Sequence, residues 1–224
     1  MSNTSKPVAW SYSSLNSFEN CAWRHYLTKV QKSVVEPQTK QLAEGNAVHK
    51  AFELHIKGEQ WMPEKYSQYT ALAEQVKATP GAKEVERRFA LTSSLKETTY
   101  FGKDVWLRGQ LDLLAKGRSK AVVLDWKTGK RKPDSDQLKL FAAATFALYP
   151  HIEQVFTGFV WLPDRKMDTE TYEREEATEI WQEFTGRVRR LEIAHETGKW
   201  PKRPSGLCRL YCPVGKNNCE HCGT

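Results

Sequence analysis

The sequence predicts an α/β fold: a central mixed β-sheet flanked by helices, with a cysteine-rich C-terminal tail. Three observations predict it. Apolar spacing is helical up to about residue 78, alternates between residues 83 and 126, and then repeats helix, strands, helix. Hydrophobic residues make up 39% of the 224 and charged residues 27%, which supports a packed core and excludes general disorder. No run approaches the roughly 18 apolar residues of a membrane span.

The elements follow in order. Residues 11–30 read as one helix, with Ser13 or Ser14 as cap and Leu15, Phe18, Ala22 and Tyr26 on one stripe. Residues 39–57 read as a second helix, with Leu42, Gly45, His49, Phe52 and Ile56 on a common face. A third helix covers residues 64–78 and stops at Pro80-Gly81. Residues 83–91, 98–115 and 120–126 favour strands through their β-branched, aromatic and alternating composition. Residues 134–148 return to helix, with Asp134 or Ser135 as cap. Strands follow at 154–162 and 166–172, then a long amphipathic helix at 175–197 carrying Trp181, Phe184, Val188 and Leu191. Beyond residue 198 Gly, Pro and Cys dominate. The predicted organisation is a main domain at 1–205 and a cysteine-rich closing tail at 206–224.

Charge and location come next. The 34 Lys and Arg against 27 Asp and Glu leave +7, a balance that favours a polyanionic partner. The polar N-terminal segment has no apolar signal core, so a cytoplasmic, reducing setting is expected. There the clustered Cys208, Cys212, Cys219 and Cys222, with the distant Cys21, read as metal or iron–sulfur ligands rather than disulfides.

Three features converge on the sheet. Asp112 stands among apolar strand residues. Asp125 and Lys127 alternate to the same side of another strand while Trp126 points away. His49 lies on the apolar face of its helix, one turn after Gly45. Carboxylates and an imidazole suit Mg²⁺ or Mn²⁺, and a nearby ammonium suits an attacking water or a phosphate. That set reads as metal-dependent phosphodiester cleavage, because buried carboxylates beside hydrophobic runs are costly without a cation.

The chain resembles the PD-(D/E)XK nuclease superfamily, in its RecB-like and Cas4-like exonuclease branch with phage-encoded members. The residues that carry the resemblance are Ser11 to Leu15 with Cys21 and Tyr26, Gly45 to His49 (G-x-x-x-H), Glu86 to Phe89 (E-x-x-F), Gly109 to Asp112 (G-x-x-D), Asp125 to Gly129 (D-Y-K-T-G) and Gln137 to Phe141 (Q-L-x-x-Y). It implies a restriction-endonuclease-like core and a DNA exonuclease acting on ends or single strands, leaving 5′-phosphates, in repair or recombination. It implies His49, Asp112 and Asp125 as metal ligands, with the Trp126 carbonyl adding an oxygen. Lys127 would activate or orient water. Glu86 would hold a second metal or a water, and Gln137 would orient the lysine or touch DNA. Trp126 stands in place of Tyr, which is immaterial if only its carbonyl serves. Phe141 replaces a Tyr, with Tyr149 as a substitute hydroxyl.

The resemblance also implies a structural [4Fe–4S] cluster on Cys21, Cys208, Cys212 and Cys219, leaving Cys222 as an alternative ligand. The rival arrangement is Zn²⁺ on the four tail cysteines. Lys130, Arg131 and Lys132 form a basic loop for phosphates, and Arg187, Arg189, Arg190, Lys199, Lys202 and Arg203 a second basic stretch. Tyr12, Trp23, Trp106 and Trp161 are candidate base-stacking residues. Two other functions fit the same sequence: a DNA-binding recombination accessory factor that does not cut, and a zinc-stabilised nucleic-acid-binding protein.

Overall fold

In the computed structural model, which describes residues 7–132 and 136–223, the N-terminal helical segment is split. Helix α1 (Tyr12–Asn20) opens with a reciprocal cap, Ser11 Oγ accepting from the Ser14 N–H and Ser14 Oγ accepting from the Ser11 N–H. It ends at Cys21, whose backbone is extended (φ −164°, ψ 107°). Helix α2 (Ala22–His25) and a π-turn (Tyr26–Val30) follow. The expected continuous helix breaks because the tail takes over its hydrogen bonds. The Trp23 N–H donates to the Pro201 carbonyl (3.2 Å), and Arg203 Nη1 donates to the Glu19 carbonyl (2.8 Å). Both partners of one helical bond are thus satisfied from outside, which offsets the interruption.

Helix α3 (Lys40–Lys57) is capped by Thr39, and a 3₁₀ turn (Glu64–Tyr69) leads into α4 (Thr70–Ala78). Five strands follow: β1 (Ala82–Leu91), β2 (Leu107–Lys116), β3 (Lys120–Lys127), β4 (Gln154–Trp161) and β5 (Lys166–Glu173). Helix α5 (Asp136–Leu148) connects β3 to β4, and α6 (Ala177–Thr197) precedes the irregular tail. The caps expected at Asp134 and Ser135 lie outside the described residues.

The expected strand at 98–115 is corrected: only its second half is a strand. Residues 98–106 form turns, with the Gly102 N–H donating to the Thr99 carbonyl and Thr98 Oγ1 donating to Asp104. Gly102 and Asp104 were the turn signals inside that aromatic run.

Strand order in the sheet is β1-β2-β3-β4-β5, with β3 and β4 parallel and the other neighbours antiparallel. The parallel pair needs a crossover, which α5 supplies. Apolar residues line both faces. Val48, Phe52 and Ile56 of α3 pack with Leu113, Leu124 and Trp126. Leu15, Phe18, Phe141, Phe184 and Val188 pack with Leu107, Leu111 and Leu114. Leu111 and Leu113, two residues apart, therefore enter opposite layers. The regular alternation slips at Asp112, beside Glu86, whose φ of 54° is left-handed and costs on the order of 1 kcal/mol. No helix among the described residues is long and apolar enough to cross a membrane.

Candidate active site

The slip in alternation is where the acidic side chains gather. Pairing between β2 and β3 runs from Lys116↔Ala121 to Leu113↔Leu124 and goes no further. Asp112 and Asp125 sit just past that point, where the strands part. The Trp126 N–H, freed from the ladder, donates to Asp112 Oδ2 (2.8 Å). Trp126 itself points to the other side and stacks on Phe52 at 4.7 Å between ring centroids.

Helix α3 brings in the imidazole. His49 Nε2–H donates to the Trp126 carbonyl (3.0 Å). Its Nδ1 then lies 3.3 Å from Asp112 Oδ2 and 3.7 Å from Glu86 Oε1. A neutral ring in that tautomer would aim a lone pair at two carboxylates, which repel it unless a proton or a cation stands between. Burial opposes an imidazolium here, but the facing Asp112 and Glu86 carboxylates and the charge of Asp125 outweigh it and raise His49 to about 10. Glycines make room on α3 and on β2. A Cβ on Gly45 would stand 3.0 Å from Thr128 Oγ1, and one on Gly109 would meet the Phe89 ring at 2.2 Å.

His49, Glu86 and Asp112 bring one ligand atom each within 4.8 Å of one another, the one such trio of potential metal ligands among the described residues. Their chemistry suits a divalent cation. Glu86 Oε1 is also buried with no hydrogen-bond partner, an orphan that a cation would satisfy. Gln110 donates to the other oxygen of Glu86 and so fixes its carboxylate.

Asp125 is outside that trio. It is 5% exposed and pairs with Lys127 Nζ at 2.6 Å. Gln137, on α5, closes a ring: its Nε2 donates to Asp125 Oδ1 (2.9 Å) and its Oε1 accepts from Lys127 Nζ (2.9 Å). Burial and the Asp112 charge push Asp125 up to about 6 against the pull of Lys127. The Lys127 ammonium lies 4.6 Å from the centroid of Phe159. Sequence reasoning missed Phe159 and Gln110. Phe159 stands opposite Asp125 in the parallel register, which a crossover sets and no local pattern reveals; Gln110 lies inside the G-x-x-D motif and carried the signal unread.

Several expectations for DNA contacts are corrected. Trp106 and Trp161 are buried at 5% exposure and donate to Glu192 and Asp168. Tyr149 donates to Glu84, away from this site. The second basic stretch is largely neutralised: Arg187 by Glu19 and Asp136, Arg189 by Glu196, Arg190 by Glu19 and Lys202 by Glu220. In the basic loop Arg131 pairs with Asp168, while Lys130 and Lys132 are exposed without an ion pair among the described residues. Trp23 and Tyr12 are half-buried, and Trp23 stacks on Tyr26.

All five cysteines line one cavity of about 450 Å³. Cys219 and Cys222 are buried. Burial, followed by the neighbouring Cys212 and Cys219 thiols, pushes the Cys222 thiol up to about 12.

Comparison with known proteins completes the picture. A family model described as the PD-(D/E)XK nuclease superfamily matches residues 9–220. No curated protein sequence gives a significant match. Among solved structures, a "Putative exonuclease" from Eubacterium rectale is 11% identical, with 89% of this chain and 84% of that chain covered at a TM-score of 0.50. The crystal structure of SSO0001 is 13% identical, with 95% and 87% covered at 0.48.

Proposed function

The chain belongs to the PD-(D/E)XK nuclease superfamily, and from that premise we propose that it is a metal-dependent deoxyribonuclease of the RecB/Cas4-like exonuclease branch. The observation that carries this reading is the His49, Glu86 and Asp112 trio beside the Asp125–Lys127–Gln137 ring. His49, Glu86 and Asp112 would hold Mg²⁺ or Mn²⁺, with Asp125 and the Trp126 carbonyl close by. Such a cation lowers the pKa of a bound water and neutralises phosphate charge.

The protein's own groups do the rest. Lys127, held by Gln137 and braced over Phe159, places a proton-bearing ammonium beside the carboxylates. That ammonium orients an attacking water or a phosphate oxygen. Trp126 locks Asp112 through its backbone and His49 through its carbonyl, so the acidic groups are fixed before substrate arrives. Lys130 and Lys132 supply phosphate contacts. Exonuclease action, the activity in the name of the Eubacterium rectale neighbour, is part of this reading, which places it on DNA ends or single strands in a cytoplasmic repair or recombination setting.

In this reading residues 1–205 form the nuclease domain and residues 206–224 close it. Cys21, Cys208, Cys212 and Cys219 would hold a [4Fe–4S] cluster. Their common cavity supports that reading. The test is digestion of end-labelled oligonucleotides by anaerobically purified protein. Cleavage is expected with Mg²⁺ or Mn²⁺ and none with EDTA. Metal-independent cleavage, or tight DNA binding with no cleavage under any divalent cation, would reject it, the second outcome favouring an accessory factor.

A further inference from the structure

The turn-rich segment that replaces the expected strand has no part in the chemistry above. At its tip Phe101 is 80% exposed, edge-on to Tyr100 at 5.1 Å. Displayed this way, its ring face is open to a stacking partner. Two guanidinium groups face this aromatic pair, Arg108 both rings and Arg88 that of Tyr100. Arg108 lies 5.7 Å from the centroids of both Tyr100 and Phe101, and Arg88 lies 5.7 Å from that of Tyr100. Unlike the arginines of α6, neither forms an ion pair among the described residues. Arg108 Nε is buried without a hydrogen-bond partner. With Lys29, Lys103 and Phe101 it borders a cleft of about 520 Å³.

This group connects to the acidic site. Arg88 Nε donates to Gln110 Oε1 (3.1 Å), and Gln110 donates to Glu86. Along β2, Arg108 and Gln110 alternate onto one face, and Glu86 links Gln110 to Asp112 in the acidic trio. Four residues at about 3.3 Å each place Arg108 about 13 Å from Asp112. Cations and aromatic faces in a row suit a flexible strand with unstacked bases. A duplex hides its base faces except at the terminal pair.

We propose that Arg88, Arg108 and Phe101 form a track for single-stranded DNA leading to the acidic site, with phosphates on the arginines and a base stacked on Phe101. This deepens the nuclease reading and rests on it. Two measurements on the intact protein separate them. The first is fluorescence anisotropy of labelled oligothymidylate in EDTA. The second is Mn²⁺-dependent hydrolysis of thymidine 5′-p-nitrophenyl phosphate, an ester too short to reach Phe101.

Phe101→Ala should weaken oligothymidylate binding about tenfold, Phe101→Trp should restore it, and neither should change ester hydrolysis. Arg108→Gln should lower the salt dependence of binding by about one phosphate contact. Binding by Phe101→Ala at wild-type strength overturns the track, as does equal weakening toward a hairpin-closed duplex. Failure of the wild-type protein to hydrolyse the ester counts against the nuclease reading alone, since the anisotropy still decides the track.

Discussion

The acidic centre and the cysteine cavity are built on opposite plans. His49, Glu86, Asp112, Asp125 and Lys127 stand on a helix and three strands, and each is tied by a neighbour: Trp126, Gln110 or Gln137. Cys21 sits in a helix break, and the other cysteines sit on short turns after residue 205. Regular elements hold the first group in place whether or not an ion is bound. The second group has little regular structure to rest on, so whatever joins the thiols also joins the two ends of the chain. In the proposed reading, one region places chemistry on a fold that stands without it and the other fastens the fold.

The largest expected effect tests the first half of that contrast. Asp112→Asn keeps an acceptor for the Trp126 N–H but removes a charge from a crowded acidic group. Turnover should fall on the order of 10³-fold, about 4 kcal/mol of barrier. The melting temperature should change little, because relief of the like-charge crowding with Asp125 offsets loss of the charge that faces His49. A variant that melts early would show that the centre is part of the fastening after all.

The second half predicts the reverse. Cys21→Ser should remove bound iron and destabilise the protein by about 3–5 kcal/mol, the scale for closing a very long loop. That lowers the melting temperature on the order of 10 °C. Cys222→Ser should retain iron if Cys208, Cys212 and Cys219 complete the set. Metal content discriminates the zinc arrangement, in which Cys21→Ser keeps the metal and Cys222→Ser loses it.

The contrast also explains what the sequence made legible. Asp125 and Lys127 on one strand face, and Gly45 before His49 on one helix face, follow from local periodicity. Both were readable because regular elements carry them. Glu86 joined the tight trio through a positive φ that no pattern announces. Phe159 came under Lys127 by a crossover register. The break at Cys21 needed the Pro201 carbonyl, nearly the length of the chain away. Local rules reached the elements and the residues on them; long-range partners decided where the elements were interrupted.

The smallest effect separates the regions by the sign of their response to acid. Beside the cysteine segment, His25 is 3% exposed, stacked against Trp200 at 6.1 Å and edge-on to Phe18 at 5.9 Å. Burial, then the charges of His195 and Lys29, lower it to about 4, against a hydrogen bond to the Ser14 backbone. Between an unfolded value near 6.5 and about 4, the unfolded chain binds a proton that the folded chain refuses. Stability is therefore complete above that window and falls as pH falls through it. Asp125 behaves oppositely. Its folded value near 6 lies above the unfolded value near 3.8, so over that range the folded state binds more protons and gains as pH falls. In metal-free protein, the melting-temperature difference between wild type and His25→Gln isolates the first response. It should shift against wild type by up to about 1.4 kcal/mol per pH unit below 6.5, roughly 3–5 °C for a chain of this size. Parallel profiles for the two proteins would mean that His25 takes no part in the acid response and that the fastened end is no more acid-sensitive than the centre.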